Sequence, residues 1–326
     1  MTAHVGIDVS KATLDVMLLQ DEQQYHGIFD NHPTGFGKLI RWLEKRCPSS
    51  VHVCLEATGR YGQAVVTCLH ETGCTVSVVN PARLKAFADS QLSRQKTDKA
   101  DALSMALFCR SQRPDPWTPP DPAQHELKAM VRHLDALQAM RQQERNRLSS
   151  GVNAPAVIET LQQHIAFLDQ QIDHLKQRIK QHIDQHPHLK QQSELLLSIP
   201  GLGEATVAVL LAEIPAIQAF DRAPELAAYA GLTPQHHRSG SSVHRPSHIS
   251  KRGNARLRRA LYFPAMVAMR HNPILRAFAQ RLQAAGHAPK SVIVAVRRKL
   301  LHLAYGVLKS GQPFDPEYLS KHPLAA

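Results

Sequence analysis

Four carboxylates in the first third of the chain, Asp8, Glu56, Asp98 and Asp101, stand where they could act together. Asp8 ends a strand-like run, HVGID, and Glu56 directly follows another, VHVCL. Asp98 and Asp101 are three residues apart and share one face of a helix that Thr97 is placed to cap. Acids on three elements can converge at one end of a sheet. Hard oxygen donors of this kind, some able to bridge, suit a pair of divalent cations that keep waters for a phosphate to displace. Two ions about 4 Å apart activate the attacking oxygen and stabilise the leaving one in an in-line displacement. Each acid alone also has an ordinary explanation, because Asp8 can shape a turn, Glu56 can face solvent, and a first helical turn favours Asp98 and Asp101 through the macrodipole. Only the set carries chemistry.

The elements that must position these acids read as an α/β unit. His4 to Asp8 and Thr13 to Leu19 form a hairpin around the polar turn Val9-Ser10-Lys11-Ala12. Helical periodicity follows from Phe36 to Lys45 and from Tyr61 to Glu71, with strands predicted at Val51 to Leu55 and Cys74 to Val79. A helix from Asp98 to about Arg110 completes a mixed sheet covered by helices. Five prolines between Arg113 and Pro122 then mark a linker or an extended strap. Beyond it lies a polar helix, about Gln124 to Leu148. The next helix carries Ile165, Leu168, Ile172, Leu175 and Ile179 at heptad spacing, either a coiled-coil seam or one side of an intramolecular helical hairpin. The cysteines at 47, 54, 68, 74 and 109 are odd in number and never spaced CxxC, which points to reduced, mostly buried thiols rather than a disulfide frame or a zinc knuckle.

Charge divides the chain. Between Glu225 and Asp315 lie 89 residues with no carboxylate and 15 Lys or Arg, more than the net charge of +12, while 24 basic and 27 acidic residues remain outside. Such a stretch repels itself unless a polyanion neutralises it, and nucleic acid is the leading candidate. No apolar run reaches membrane-spanning length and no export signal opens the chain, so a cytoplasmic protein is expected. Lys251, Arg252, Arg256, Arg258 and Arg259 crowd into nine residues, with Arg245 just before them, and Arg297, Arg298 and Lys299 form a second group. With no acids nearby in sequence, both groups are expected on phosphates. Gly201 and Gly203 in SIPGLGEA either free amides for a phosphate at a helix start or serve only the turn of a helical hairpin. Aromatic residues are too few for a single-strand stacking platform, and no recognition helix is legible, so sequence choice is delegated elsewhere.

GIDVSK around Asp8, LEATGRYG around Glu56, VVNPARLKAFA at 78–88 and KTDKADA around Asp98 and Asp101 resemble the four-acid, DEDD, RuvC-type domain of the insertion-sequence one-ten family of transposases, relatives of the Piv and MooV DNA invertases. SIPGLG, AAYAGLTP, SGSSVHRPSHISKRGNARLRRALYFPA and LAYGVLKSG resemble that family's C-terminal domain, in matching order and spacing. The chain is similar in particular to the family's bridge-RNA-guided recombinases. The resemblance implies an RNase H-like catalytic domain at 1–122, a helical or coiled-coil linker at 123–193, and a basic, mainly α-helical domain with a helix-hairpin-helix-like element at 194–326. It implies that Asp8, Glu56, Asp98 and Asp101 hold Mg2+, two ions per site. It also implies that a serine, by alignment Ser239 with Ser241 and Ser242 as neighbours, attacks DNA to give a phosphoserine link. The implied partners are donor and target DNA duplexes, a structured guide RNA that pairs with both, and further copies of the chain, as a dimer assembling to a tetramer in which the acids of one subunit face the serine of another. The implied location is the nucleoid. Two other functions stay open: a RuvC-like nuclease or junction resolvase that cuts without a covalent link, and a non-catalytic nucleic-acid scaffold.

Overall fold

A computed structural model of the chain describes residues 3–47, 50–57, 59–91, 97–119, 121–235, 238–239, 243–244 and 248–317. The fold divides into two units, Met1–Pro119 and Pro120–Ala326.

The first unit is built on strands β1 (Ala3–Val9), β2 (Thr13–Gln20), β3 (Gln23–Asp30), β4 (Val51–Glu56) and β5 (Thr75–Val79), with helices α1 (Pro33–Glu44), α2 (Arg60–Glu71), α3 (Pro81–Ser90) and α4 (Asp98–Gln112). The sheet order is β3-β2-β1-β4-β5. The first three strands form an antiparallel meander, while β1, β4 and β5 run parallel. Apolar residues on both faces make β1, β2 and β4 central. The edge strand β3 was not expected from sequence, because QQYHGIFD buries none of its residues fully and offers only a weak alternation. Asp21, at φ +53°, makes the tight turn that sets its register. One sheet face packs Val5, Ile7, Val53 and Leu55 against Leu39 and Leu43 of α1 and Val65 of α2. The opposite face receives α4, through Cys54 against Met105 and Cys109 and through Met17 against Ala102 and Ala106. Gly6 makes that approach possible: a Cβ there would stand 2.1 Å from the Ala102 carbonyl oxygen and 2.4 Å from the Ala106 nitrogen. The proline-rich segment is a strap along β5, with Trp117 N donating to Val76 O at 2.6 Å and Ser77 Oγ at 2.9 Å from the carbonyl oxygens of both Pro114 and Asp115.

The second unit is helical. Helices α5 (Pro122–Ser149) and α6 (Pro155–Gln185) form an antiparallel hairpin, followed by α7 (Pro187–Leu197), α8 (Glu204–Glu213) and α9 (Ala223–Tyr229). Two short ladders come next, β6 (Pro234–Gln235) with β9 (His248–Ile249) and β7 (Arg238–Ser239) with β8 (Val243–His244). The unit closes with α10 (Ala255–Ala260), α11 (Tyr262–His271), α12 (Pro273–Ala284) and α13 (Pro289–Ser310). The heptad seam of α6 is satisfied inside the chain: Leu168 and Ile172 pack against Leu137 of α5. Nor is the stretch 123–193 a free spacer. Leu127, Val131, Ile179 and Ile183 enter the same core as Leu210, Leu257, Val296 and Leu300, so the base of the hairpin is part of the C-terminal unit. Among the described residues no helix is long and apolar enough to cross a membrane.

Candidate active site and basic surface

Asp8 lies one residue before the end of β1 and Glu56 ends β4. The two strands are parallel with Ile7 level with Leu55, so both carboxylates leave neighbouring strand ends on the face that α4 covers. Thr97 Oγ1 accepts from Ala100 N at 3.2 Å, which fixes the first turn of α4 and with it Asp98 and Asp101. Convergence shows in the electrostatics. Burial first, and then the charges of Asp98, Asp101, Asp15 and Glu56, push the Asp8 carboxyl up to about 6. All four charges are carboxylates, so the site gains affinity for a proton or a cation. Among the described residues no three of these acids hold oxygens within 4.8 Å of one another. A pair of ions spans more space than one, so the four acids need not all meet at a single point. Oxygen donors on three rigid elements fit hard divalent cations.

Asp15 escaped the sequence reading. It stands directly across from Asp8 in the β1–β2 ladder and is 8% exposed, with its Oδ1 3.1 Å from His26 Nε2. Counting the register back from the Ser10 turn would have placed it there.

The basic residues are less free than their sequence neighbourhood suggested. Asp135 of α5, far away in sequence, pairs with both Arg256 and, at 2.7 Å, Arg259. Arg256 Nε also lies 3.8 Å from the buried Glu213, and Arg258 donates to Ala230 O at 3.0 Å. Arg297 is buried, its guanidinium 5.7 Å from the ring centre of Tyr262, and burial lowers its pKa. It is not a surface partner of Arg298 and Lys299. Those two, with Lys251 and Lys290, border a cavity of about 630 Å³ that Phe278 and His302 also line. Burial, then Arg298 and Lys299, lower His302 to about 4, so it is neutral at physiological pH. Arg252 is exposed.

Gly201 has φ +110° and packs so closely on α11 that a Cβ would meet the Ala268 Cβ at 2.6 Å. The turn and that contact explain the glycine. Gly203 precedes α8, whose first turn already carries Glu204, paired at 3.1 Å with Lys180. The backbone of Ser239 lies in β7, opposite Val243. Its side chain, and Gly240, Ser241, Ser242 and Arg245, lie outside the described residues.

Residues 5–154 match the DEDD transposase profile of the IS110 type, and residues 193–280 match the Transposase IS116/IS110/IS902 family. Over 316 residues the chain is 33% identical to the pilin gene-inverting protein of Moraxella bovis, covering 96% of this chain and 97% of that protein. The chain belongs to the IS110/IS116/IS902 family of transposases. A transposase for insertion sequence element IS1328 of Yersinia enterocolitica is 25% identical over 284 residues, 76% of this chain and 80% of its own length. T. thermophilus RuvC in complex with Holliday junction substrate superposes on 36% of this chain and 100% of its own, with TM-score 0.28 and 16% identity, a score too low to bear on the fold. In this IS110-family transposase the first matched segment contains all four acids and the second contains Ser239 and the 251–259 basic run.

Proposed function

We propose that this transposase is a divalent-metal-dependent DNA recombinase in which Asp8, Glu56, Asp98 and Asp101 hold two Mg2+ ions and Ser239 is the nucleophile. The meeting of the four acids around Asp8 carries the reading. The strand order, a three-strand antiparallel meander extended by two parallel strands, supports an RNase H-like, RuvC-type domain, and the α7–α8 hairpin supports the helix-hairpin-helix-like element. Near-full-length similarity to a protein named for gene inversion supports strand exchange as the outcome.

Bound ions would polarise the scissile phosphate and lower the cost of deprotonating the attacking oxygen. The chain supplies the frame: Asp8 and Glu56 on neighbouring strand ends, Asp98 and Asp101 on a capped helical turn, all fixed before substrate arrives. Ser239 Oγ loses its proton and bonds to phosphorus, and the phosphorus bond to the DNA chain breaks, which frees a DNA hydroxyl. A hydroxyl from a second strand then attacks the phosphoserine, restores the serine and joins the strands. One phosphoester is broken for each one made, so no external energy source is needed. Lys251 and Arg252, with Arg245 and whichever of Arg256, Arg258 and Arg259 exchange their internal partners for phosphate, hold the backbone; for Arg245 the reading rests on sequence alone. Sequence choice falls to a structured guide RNA paired with donor and target duplexes, and the reading includes a dimer that assembles to a tetramer on DNA.

The test is a covalent-trapping assay, using plasmid carrying the DNA that flanks the gene and RNA transcribed from the same flank. Wild type with Mg2+ yields a protein–DNA adduct stable in denaturant. Ser239→Ala abolishes the adduct and keeps nucleic-acid binding, and Asp8→Asn and Glu56→Gln abolish adduct and cleavage. Cleavage that survives in Ser239→Ala without an adduct would identify a nuclease or resolvase. Nucleic-acid binding with neither cleavage nor adduct in the wild type, and Mg2+ affinity indifferent to the acids, would leave only a binding scaffold.

A further inference from the structure

The face of β4 that carries Glu56 holds a second set of ligating atoms. His52 and Cys54 share that face, and Cys109 of α4 packs over it. A ring nitrogen of His52 and the Sγ atoms of Cys54 and Cys109 all lie within 4.8 Å of one another, and among the described residues no other trio of His, Cys, Asp or Glu does so. Both cysteines are fully buried, and His52 is half-buried. Bonds of about 2.3 Å to sulfur and about 2.0 Å to nitrogen put the donors of a tetrahedral Zn2+ ion roughly 3.5 to 4 Å apart, so the trio need close by only about 1 Å.

Ser77 fixes the tautomer of the His52 ring. Ser77 has one hydroxyl proton, and its Oγ lies 2.9 Å from two carbonyl oxygens, of Pro114 and Asp115, which can only accept. With that proton committed, Ser77 Oγ accepts from His52 Nε2 at 2.8 Å. The ring proton therefore sits on Nε2, and the Nδ1 lone pair is left for a ligand. An outer hydrogen bond of this kind fixes tautomer and orientation in metal-bound histidines. His4 stands beside His52 in the β1–β4 register, with ring centres 6.3 Å apart, and offers a fourth donor.

We infer that His52, Cys54 and Cys109, with His4 completing the set, bind a structural Zn2+ ion. On binding, both thiol protons leave to solvent, two sulfur–metal bonds form, and the Cys109 S–H contact to the His52 carbonyl oxygen is lost. The ion would pin α4 to β4 two residues from Glu56 and about two helical turns from Asp101, and so set the spacing of the carboxylates. The site stands apart from the recombinase reading, since it rests on other atoms.

Reduced, metal-stripped full-length chain is titrated with Co2+ as a spectroscopic probe. The near-ultraviolet thiolate-to-cobalt charge-transfer band, which Co2+ on the carboxylates does not give, is expected to saturate at one thiolate-bound ion per chain and to be bleached stoichiometrically by Zn2+. Cys54→Ala and Cys109→Ala each remove the band, His52→Ala weakens binding at least tenfold, and a Cys68→Ala/Cys74→Ala control retains it. Zinc-edge X-ray absorption on the wild type, which does not depend on any variant folding, reports two sulfur and two nitrogen neighbours. No band, a band that survives Cys54→Ala and Cys109→Ala, a zinc shell without sulfur, or three free thiols in place of five from a Cys54–Cys109 disulfide would overturn the assignment.

Discussion

At Asp8, burial and four neighbouring carboxylates hold the carboxyl near pH 6, against 3.8 for an unperturbed group. Between those values the folded chain binds more protons than the unfolded one. Stability therefore falls as pH rises through the window, and the loss is complete above about 6. Asp8 is only half-buried, so solvent screening reduces the effect to about 1 kcal/mol. Asp8→Asn should raise the melting temperature by a few degrees at pH 7.5 in EDTA, with the gap closing by pH 4. Mg2+ should then raise the wild type alone. Equal melting temperatures in EDTA at pH 7.5 would show that the acids do not repel one another in the fold. Glu213 is the counter-example. Burial pushes its pKa up, but Arg132 at 2.8 and 3.0 Å and Asn254 at 2.9 Å pull it down on balance, so that carboxylate is a structural brace.

The element that decides the site is α4. Its start presents Asp98 and Asp101, its middle lies over Gly6, and its Cys109 Sγ donates to the His52 carbonyl at 3.3 Å near the start of β4, so the helix runs antiparallel to β1 and β4. Gly6→Ala drives a methyl group into the helix backbone, which cannot yield as a flexible side chain would. The expected cost is about 1 to 3 kcal/mol in urea unfolding, with DNA cleavage reduced far more than nucleic-acid binding, because the helix and its two acids shift off the strand ends. Unchanged unfolding would mean that α4 does not sit so close. The capping Thr97 and the strand–acid pattern made this arrangement readable in part, but β3 did not announce itself, since its edge position buries too little to demand apolar residues.

At the scale of the whole molecule, a run of 89 residues without an acid is not a surface without acids. Asp135 and Glu213, both outside that run, neutralise part of it through Arg256 and Arg259. Binding to a random-sequence DNA duplex should therefore depend unevenly on the cations. Lys251→Ala and Lys299→Ala should each reduce the slope of log K against log salt by about 0.9, and Arg297→Ala should leave the slope alone while lowering the unfolding midpoint. The reverse pattern would place Arg297 on the nucleic acid and remove the two lysines from it.

What the residues alone determined was local: which runs form the buried strands of the first unit, where Thr97 starts a helix, which acids stand at element ends, and that the charge is uneven. Family membership was legible too, because its motifs follow one another along the chain. Tertiary structure decided what depends on distance across the sequence. It put Asp15 opposite Asp8 through strand register, took Arg297 into a core, closed the α6 seam on α5, and brought Cys109 to His52 and Cys54 from more than fifty residues away. Electrostatic and ligand interactions fall off with separation in space, and only folding sets that separation.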